Sequence, residues 1–68
     1  MINTKIGETI QQLRKSKKMS QGELGKILGF SARTISDWEH GNTEPNITAI
    51  KAIVKFFDIS YEEFFGEE

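Results

Sequence analysis

The segment from Gln21 to Glu39, QGELGKILGFSARTISDWE, constrains the fold of this 68-residue chain more than any other. Its apolar residues recur at the three- and four-residue intervals of a helix on both sides of a glycine. They are Leu24, Leu28, Phe30, Ile35 and Trp38. Gly25 lies where two helices must approach closely, and Gly29 lies where the chain must turn. The pattern predicts two short helices joined by a tight turn.

Serine residues mark three helix starts. Ser20 begins the sequence S-Q-G-E, in which Ser20 can cap a helix and Glu23, three residues later, can complete a capping box. Ser31 can cap the helix that follows the turn. Ser60 and Glu63 repeat the capping box near the end of the chain. The starts of three helices are therefore predicted from local sequence.

Two further helices are indicated by periodicity. The first starts near Asn3 or Thr4 and runs to about Lys17, with an apolar face made of Ile6, Ile10 and Leu13. Asn46 can cap a fourth helix that ends near Phe57. The predicted buried face of that helix consists of Ile47, Ile50, Ile53, Val54 and Phe57. These signals predict an all-α fold of five short helices.

Length and charge bound the organisation of the chain. We expect residues 1–68 to form a single domain, with a helix-turn-helix at about 20–39 and an acidic C-terminal helix and tail at about 60–68. Residues 1–57 carry nine lysines and arginines against five acids, whereas residues 58–68 carry five acids and no base. The basic body suits a polyanionic partner, although solvated faces of opposite charge would give the same pattern.

Several classes of protein are disfavoured. The chain has no cysteine and one histidine, His40, so we expect neither a disulfide nor a metal or cofactor site, and we expect no enzymatic activity. His40 is explained as a polar residue at a helix end or as a neighbour of a phosphate. No apolar run approaches the roughly twenty residues that span a bilayer, and the first residues lack the pattern of a secretion signal. We therefore expect a soluble, cytoplasmic protein.

Residues 6–65 resemble the Cro/C1-type helix-turn-helix proteins, a family that includes phage repressors and small bacterial regulators. The resemblance is carried by SQGELGKILGFS, TISDWEHG, Pro45 and FFDISYEEFF. It implies a compact, five-helix, lambda-repressor-like DNA-binding domain, in which the helix at 32–39 enters the major groove. The expected function is sequence-specific binding of double-stranded DNA by a transcriptional regulator. We expect a repressor that occupies a promoter or operator, although the sequence does not determine whether the effect on transcription is repression or activation.

The helix at 32–39 divides into an inner and an outer face. At about 100° per residue, Ile35, Trp38 and Glu39 share one side. The opposite side and its flanks are polar and carry Arg33, Thr34, Ser36, Asp37 and His40. Arg33 can donate two hydrogen bonds to guanine, contact a phosphate or remain solvated. Ala32, at the first reading position of the family, offers only van der Waals contact, for instance to a thymine methyl group.

Asp37 departs from the family, because many members carry a basic or amide side chain at this position. Its carboxylate can accept a hydrogen bond from the exocyclic amine of cytosine. It can equally orient Arg33, which lies one turn earlier, as an arginine–aspartate pair. A third possibility is an exposed pair of little energetic value. The sequence leaves these alternatives open.

Other candidate residues concern the DNA backbone and the support of the reading helix. The resemblance gives Gln21 a phosphate contact and a bracing role, against the alternative of a solvated first-turn residue. The further phosphate candidates are Thr34, Asn42 and Thr43. Glu39 is charged yet lies on the inner face, so it needs a partner. The resemblance implies that Arg14 is this partner in a largely buried, structural ion pair.

Two alternatives concern partners. The same scaffold occurs in antitoxin and controller subunits, and a protein-interaction module that does not bind DNA would also account for the acidic tail. The aromatic residues Tyr61, Phe64 and Phe65 either cover the core or form a homodimer interface. We expect the homodimer, formed through the C-terminal helix and binding a palindromic operator, because family members often read paired half-sites.

Overall fold

The computed structural model describes residues 4–66, which fold into five α-helices. They are α1 (Thr4–Ser16), α2 (Gln21–Leu28), α3 (Ala32–Glu39), α4 (Ile47–Phe57) and α5 (Tyr61–Phe65). The predicted all-α, five-helix class is confirmed. Asn3 as a possible helix start, and Glu67 and Glu68 in the acidic tail, lie outside the described residues. Within residues 4–66, none of the helices has the length and hydropathy needed to cross a membrane.

Side-chain caps fix the starts of four helices. The Ser20 hydroxyl accepts a hydrogen bond from the Glu23 amide at 3.0 Å, and the Glu23 carboxylate accepts one from the Ser20 amide at 2.8 Å. Ser60 and Glu63 form the same capping box at the start of α5. Ser31 caps α3, and Asn46 caps α4. All four predicted caps are confirmed.

Left-handed residues terminate the helices. Gly29 ends α2 with φ of 89°, as its sequence position predicts, and its amide donates to the Gly25 carbonyl at 2.7 Å. Two non-glycine residues, Lys18 after α1 and Asp58 after α4, adopt the same region with φ of 56°. Gly41, with φ of 77°, follows α3. The chain therefore reverses sharply after four of the helices.

The core is built from all five helices, and it corrects the predicted face of α4. Ile47 is 63% exposed, whereas Ala49, which lies outside the predicted face, is buried. The buried stripe of α4 centres between Ile53 and Phe57, and Ile47 lies about 90° from that centre in the first turn of the helix. The buried apolar residues are Ile10, Leu24, Ile35, Trp38, Ala49, Ile50, Ile53, Val54, Phe57 and Phe64.

Phe64 belongs to this core and not to a protein surface. Its side chain is fully buried, so it is unavailable for the dimer interface that the sequence suggested. Tyr61 and Phe65, on the other sides of α5, remain 44% exposed each. Because α5 packs against α1, one of its three aromatic side chains closes the core while the other two face outward.

Close contacts between helices set the position of α3. A Cβ atom placed on Gly7 of α1 would collide with the carbonyl oxygen of Trp38 and lie 2.8 Å from that of Glu39. A Cβ on Gly25 of α2 would collide with the carbonyl oxygen of Phe30 and lie 3.1 Å from that of Ser31. The predicted close approach at Gly25 is thus present, and Gly7 adds a second one. Helix α3 is held between α1 and α2 at distances that only glycine permits.

Candidate nucleic-acid interface

Helix α3 is amphipathic, with one face in the core and one face outside. Ile35 is fully buried, and Trp38 and Glu39 are 5% and 8% exposed. The ring of Trp38 meets that of Phe30 edge to face, with centroids 4.9 Å apart, which anchors the helix to the turn before it. The outward residues are Ala32 and Arg33, both exposed, and Thr34, Ser36 and Asp37, which are partly exposed.

The inner face contains an ion pair between α1 and α3. Arg14 donates from Nε to Oε2 of Glu39 at 2.7 Å and from Nη2 to Oε1 at 3.0 Å, in a bidentate arrangement. Its remaining nitrogen, Nη1, donates to the carbonyl oxygen of Met19 at 2.8 Å. Arg14 therefore connects the end of α3 to the turn between α1 and α2.

Two glutamines complete the surroundings of the Glu39 carboxylate. Gln21 at the start of α2 donates to Oε1 at 3.1 Å, and Gln11 of α1 donates to the same oxygen at 3.5 Å. Burial alone would raise the pKa of Glu39, but the hydrogen bonds from Arg14 and Gln21 and the charge of Arg14 outweigh it and lower that pKa. The hydrogen bond to Glu39 raises the pKa of Arg14 in turn. Glu39 is therefore held as a carboxylate.

On the outer face, Asp37 lies between two donors. Arg33 Nε is 3.6 Å from Oδ1 of Asp37, and Asn42 Nδ2 donates to the same oxygen at 3.4 Å. The Arg33 side chain is 86% exposed, whereas that of Asp37 is 28% exposed. Of the residues predicted to contact DNA, the structure thus joins Arg33, Asp37 and Asn42 through their side chains.

Three other predicted DNA contacts, Thr34, Ser36 and Thr43, have hydrogen-bond partners nearby in the sequence. The Thr34 hydroxyl lies 3.0 Å from the Ser31 hydroxyl, and the Ser36 hydroxyl lies 3.3 Å from Nδ1 of His40. The amide of Thr43 donates to the Asp37 carbonyl at 3.4 Å, which places this loop residue at the end of α3.

The starts of α2 and α3 lie side by side. A Cβ atom on Gly22 would be 3.9 Å from the Cβ of Ala32, so the first turns of the two helices are neighbours. Gln21, which precedes Gly22, is therefore near Ala32, although its amide nitrogen faces inward to Glu39. Two adjacent helix starts present free backbone N–H groups and positive dipole ends, an arrangement that suits phosphate groups.

Sequence reasoning overlooked two residues that support the site. Gln11 lies three residues before Arg14, so the helical spacing placed both on one side of α1 and offered a signal for a shared partner. Gly7 is an isolated glycine inside a helical pattern, and such a residue has a packing reason when the helix is otherwise regular. Its partner could not be found locally, because Trp38 is 31 positions away.

Comparison with known protein families identifies the family to which most of the chain belongs. The family described as Helix-turn-helix matches residues 10–64. The transcriptional activator BcrR of Enterococcus faecalis is 41% identical over 64 residues, which are 93% of this chain and 31% of BcrR. Repressor protein C2 of Salmonella phage P22 is 42% identical over 60 residues, 87% of this chain and 28% of C2. The chain thus spans about a third of the length of these curated relatives.

Solved structures share the fold over nearly the whole chain. The P22 c2 repressor in complex with a synthetic operator superposes with a TM-score of 0.79 at 39% identity, covering 87% of this chain and 89% of that one. The N-terminal DNA-binding domain of SinR from Bacillus subtilis superposes with a TM-score of 0.83 at 27% identity, covering 97% of each chain. The five-helix arrangement described above is therefore that of lambda-repressor-like domains.

Proposed function

Since the chain belongs to the Cro/C1-type helix-turn-helix family, we propose that it binds double-stranded DNA sequence-specifically and regulates transcription. The observation that carries this proposal is the division of α3. Ile35, Trp38 and Glu39 anchor one face, and the Arg14–Glu39 pair fixes the angle of the helix. The opposite face is polar and protrudes with an almost fully exposed Arg33. Such a face fits the width of the major groove.

The residues of this surface have different roles in the proposed complex. Arg33 reads a base edge, and Ala32 and Ser36 line the groove beside it. The residues assigned to the phosphate backbone are Gln21 at the start of α2, Thr34 in the first turn of α3 and Thr43 in the loop after α3. They position the domain without selecting sequence. Asp37 lies beside Arg33 and Asn42, two of the other residues of this surface.

We further propose that residues 1–68 act as one DNA-binding domain and that two copies bind a palindromic operator. The exposed Tyr61 and Phe65 on α5 offer apolar surface for a homodimer. Of the relatives, BcrR is named an activator and C2 a repressor, so the domain occurs in regulators of both signs. Our proposal for this chain is repression by occupation of an operator.

Binding of mixed genomic DNA at low salt tests the proposal. We expect micromolar or tighter binding whose affinity falls steeply as salt is raised, because phosphate contacts release counterions. Arg33→Ala should weaken binding. Lys55→Ala removes the same charge from the last turn of α4, away from the loop that joins α3 to α4, and should bind as the wild type does.

Absence of salt-dependent binding by the folded wild-type chain would contradict the proposal and would favour a protein-interaction module. Equal weakening by Arg33→Ala and Lys55→Ala would show that α3 is not the contact surface. Selection of bound sites from random duplexes then gives the half-site, its symmetry and its spacing.

A further inference from the structure

Asp37 is the partly exposed centre of a small polar cluster on the outer face of α3, which consists of Arg33, Asp37 and Asn42. Its Oδ1 atom is 3.6 Å from Nε of Arg33 and 3.4 Å from Nδ2 of Asn42. One carboxylate oxygen thus faces a donor from its own helix and a donor from the following loop. The three residues have opposite or complementary polarity, so the negative charge of Asp37 is compensated within the cluster.

The loop conformation brings Asn42 to this position. Gly41 has φ of 77°, which turns the chain back toward the end of α3 at little steric cost for glycine. The backbone amide of Asn42 then donates to the carbonyl oxygen of Asp37 at 2.9 Å. Asn42 is therefore bonded to Asp37 through its main chain as well as its side chain. The main-chain bond holds the backbone of Asn42 in the position from which its side chain reaches Asp37.

The geometry determines which edge of Arg33 remains free. A guanidinium group is planar and carries donors on two edges. When Nε faces Asp37, the end of the guanidinium that carries the two Nη groups can still donate two parallel hydrogen bonds to O6 and N7 of guanine. A carboxylate beside Nε also restricts the conformations of Arg33 before binding, and this reduces the conformational freedom that the side chain would lose on binding.

We propose that Asp37 and Asn42 position Arg33 to read guanine, so that Asn42 determines specificity without touching a base. The inference rests on the DNA-binding function proposed above and makes it more specific. Each half-site contains a G·C pair opposite Arg33. Asp37 acts through Arg33 and does not read a cytosine of its own.

The test is a set of affinities measured for the full chain on a duplex selected by the wild type. The first step identifies the base pair that Arg33 contacts, which is the pair whose replacement weakens binding of the wild type but not of Arg33→Ala. This pair is then changed to each of the other three base pairs. We expect the wild type to prefer guanine there by about tenfold or more, as a bidentate arginine contact does. Asp37→Ala and Asn42→Ala should each reduce this preference severalfold. In the Arg33→Ala background neither substitution should change base preference further.

A matched control comes from the same loop. Thr43→Ala should weaken binding to all four duplexes alike, because a phosphate contact carries no sequence information. Thermal unfolding of each variant verifies that exposed substitutions leave the fold intact. A change in base preference is a readout that a merely structural role of Asn42 would not move.

Three outcomes would overturn the inference while leaving DNA binding established. Asp37→Ala could keep the guanine preference and lose a cytosine preference at another pair, which would make Asp37 a reader of bases. Its effect could persist in the Arg33→Ala background, which would show independence from Arg33. Asn42→Ala could lower affinity uniformly, as a phosphate contact would. Failure of the wild type to bind any duplex would instead refute the proposed function.

Discussion

Glu39 illustrates how a single charged residue can be part of a core. Its carboxylate is fully buried and receives hydrogen bonds from Arg14, Gln21 and Gln11, which belong to two other helices. Burial of an unpaired carboxylate would be strongly unfavourable, whereas a bidentate arginine and two amide donors satisfy it. Glu39 therefore joins the end of α3 to α1 and α2.

Loss of the Glu39 carboxylate should destabilise the domain severely. Glu39→Ala leaves Arg14 buried without its partner, and we expect the free energy of unfolding to fall by about 3–5 kcal/mol. For a domain of this size that corresponds to a decrease in Tm of more than about 10 °C. Glu44→Ala, which removes an exposed glutamate of the following loop, should change stability by less than about 0.5 kcal/mol. An unaltered Tm in Glu39→Ala would contradict the structural role.

The same residue should make stability depend on pH. Because the pKa of Glu39 is lower in the folded state than in the unfolded chain, the carboxylate contributes stability above the unfolded value of about 4.3. That contribution is lost as pH falls through the lower, folded pKa. Urea unfolding between pH 3 and pH 7 measures this effect. The wild type should have a larger free energy of unfolding than Glu39→Gln near pH 7, and this difference should decrease as the pH is lowered. Parallel pH profiles for the two proteins would contradict this prediction.

At the level of elements, the crossing of α1 and α3 depends on a glycine. The end of α3 lies directly over Gly7, at a distance that excludes a methyl group. This contact and the Arg14–Glu39 pair join the same two helices, so the position of α3 is fixed by backbone packing and by charge together. Helix α2 fixes the other side through Gly25.

A methyl group at position 7 should force α1 and α3 apart. We expect Gly7→Ala to lower the free energy of unfolding by about 1–3 kcal/mol, even though alanine favours helices over glycine. Gly22→Ala is the matched control, because its Cβ would make only ordinary contacts at 3.9 Å and should raise stability by up to about 1 kcal/mol. Chemical denaturation of both variants provides the measurement. If Gly7→Ala raised the free energy of unfolding as much as Gly22→Ala, α1 and α3 would accommodate the methyl group at position 7, contrary to the prediction.

At the level of the whole molecule, the described residues form one compact unit with a radius of gyration of 10.8 Å. The exposed helix starts and the outer face of α3 make up the proposed DNA surface, and α5 carries the exposed aromatic residues Tyr61 and Phe65. Glu62 and Glu63 lie in the first turn of α5, in a different element from α3. The proposed DNA surface and the proposed dimer surface therefore lie on different elements of the chain.

The proposed dimer can be tested on α5. Phe65→Ser removes exposed apolar surface together with the edge-to-face contact between the rings of Phe65 and Phe64, and we expect weaker self-association and weaker binding to a duplex with two half-sites. Ile27→Ser, at a similarly exposed isoleucine of α2, should leave self-association unchanged. Sedimentation at high concentration, alone and on DNA, measures both. A monomeric wild type, both alone and on DNA, would contradict the proposed homodimer.

Sequence alone determined the features whose causes are local. The caps at Ser20, Ser31 and Ser60 and the turn at Gly29 depend on residues within a few positions, so they were predictable without the fold. The amphipathic division of α3 was predictable as well, because a period of 3.6 residues assigns each side chain to a face. The charge on the inner face at Glu39 showed that a partner was required, and the family resemblance indicated Arg14.

Tertiary structure decided the features that join residues distant in the chain. The exposure of Ile47 and the burial of Phe64 depend on where neighbouring helices end, which periodicity within one helix does not encode. The contacts of Gly7 with Trp38 and of Gln11 with Glu39 connect positions 31 and 28 residues apart. The side-chain contact of Asn42 with Asp37 required the backward turn at Gly41. Packing between elements, and not local preference, therefore set the geometry of the site.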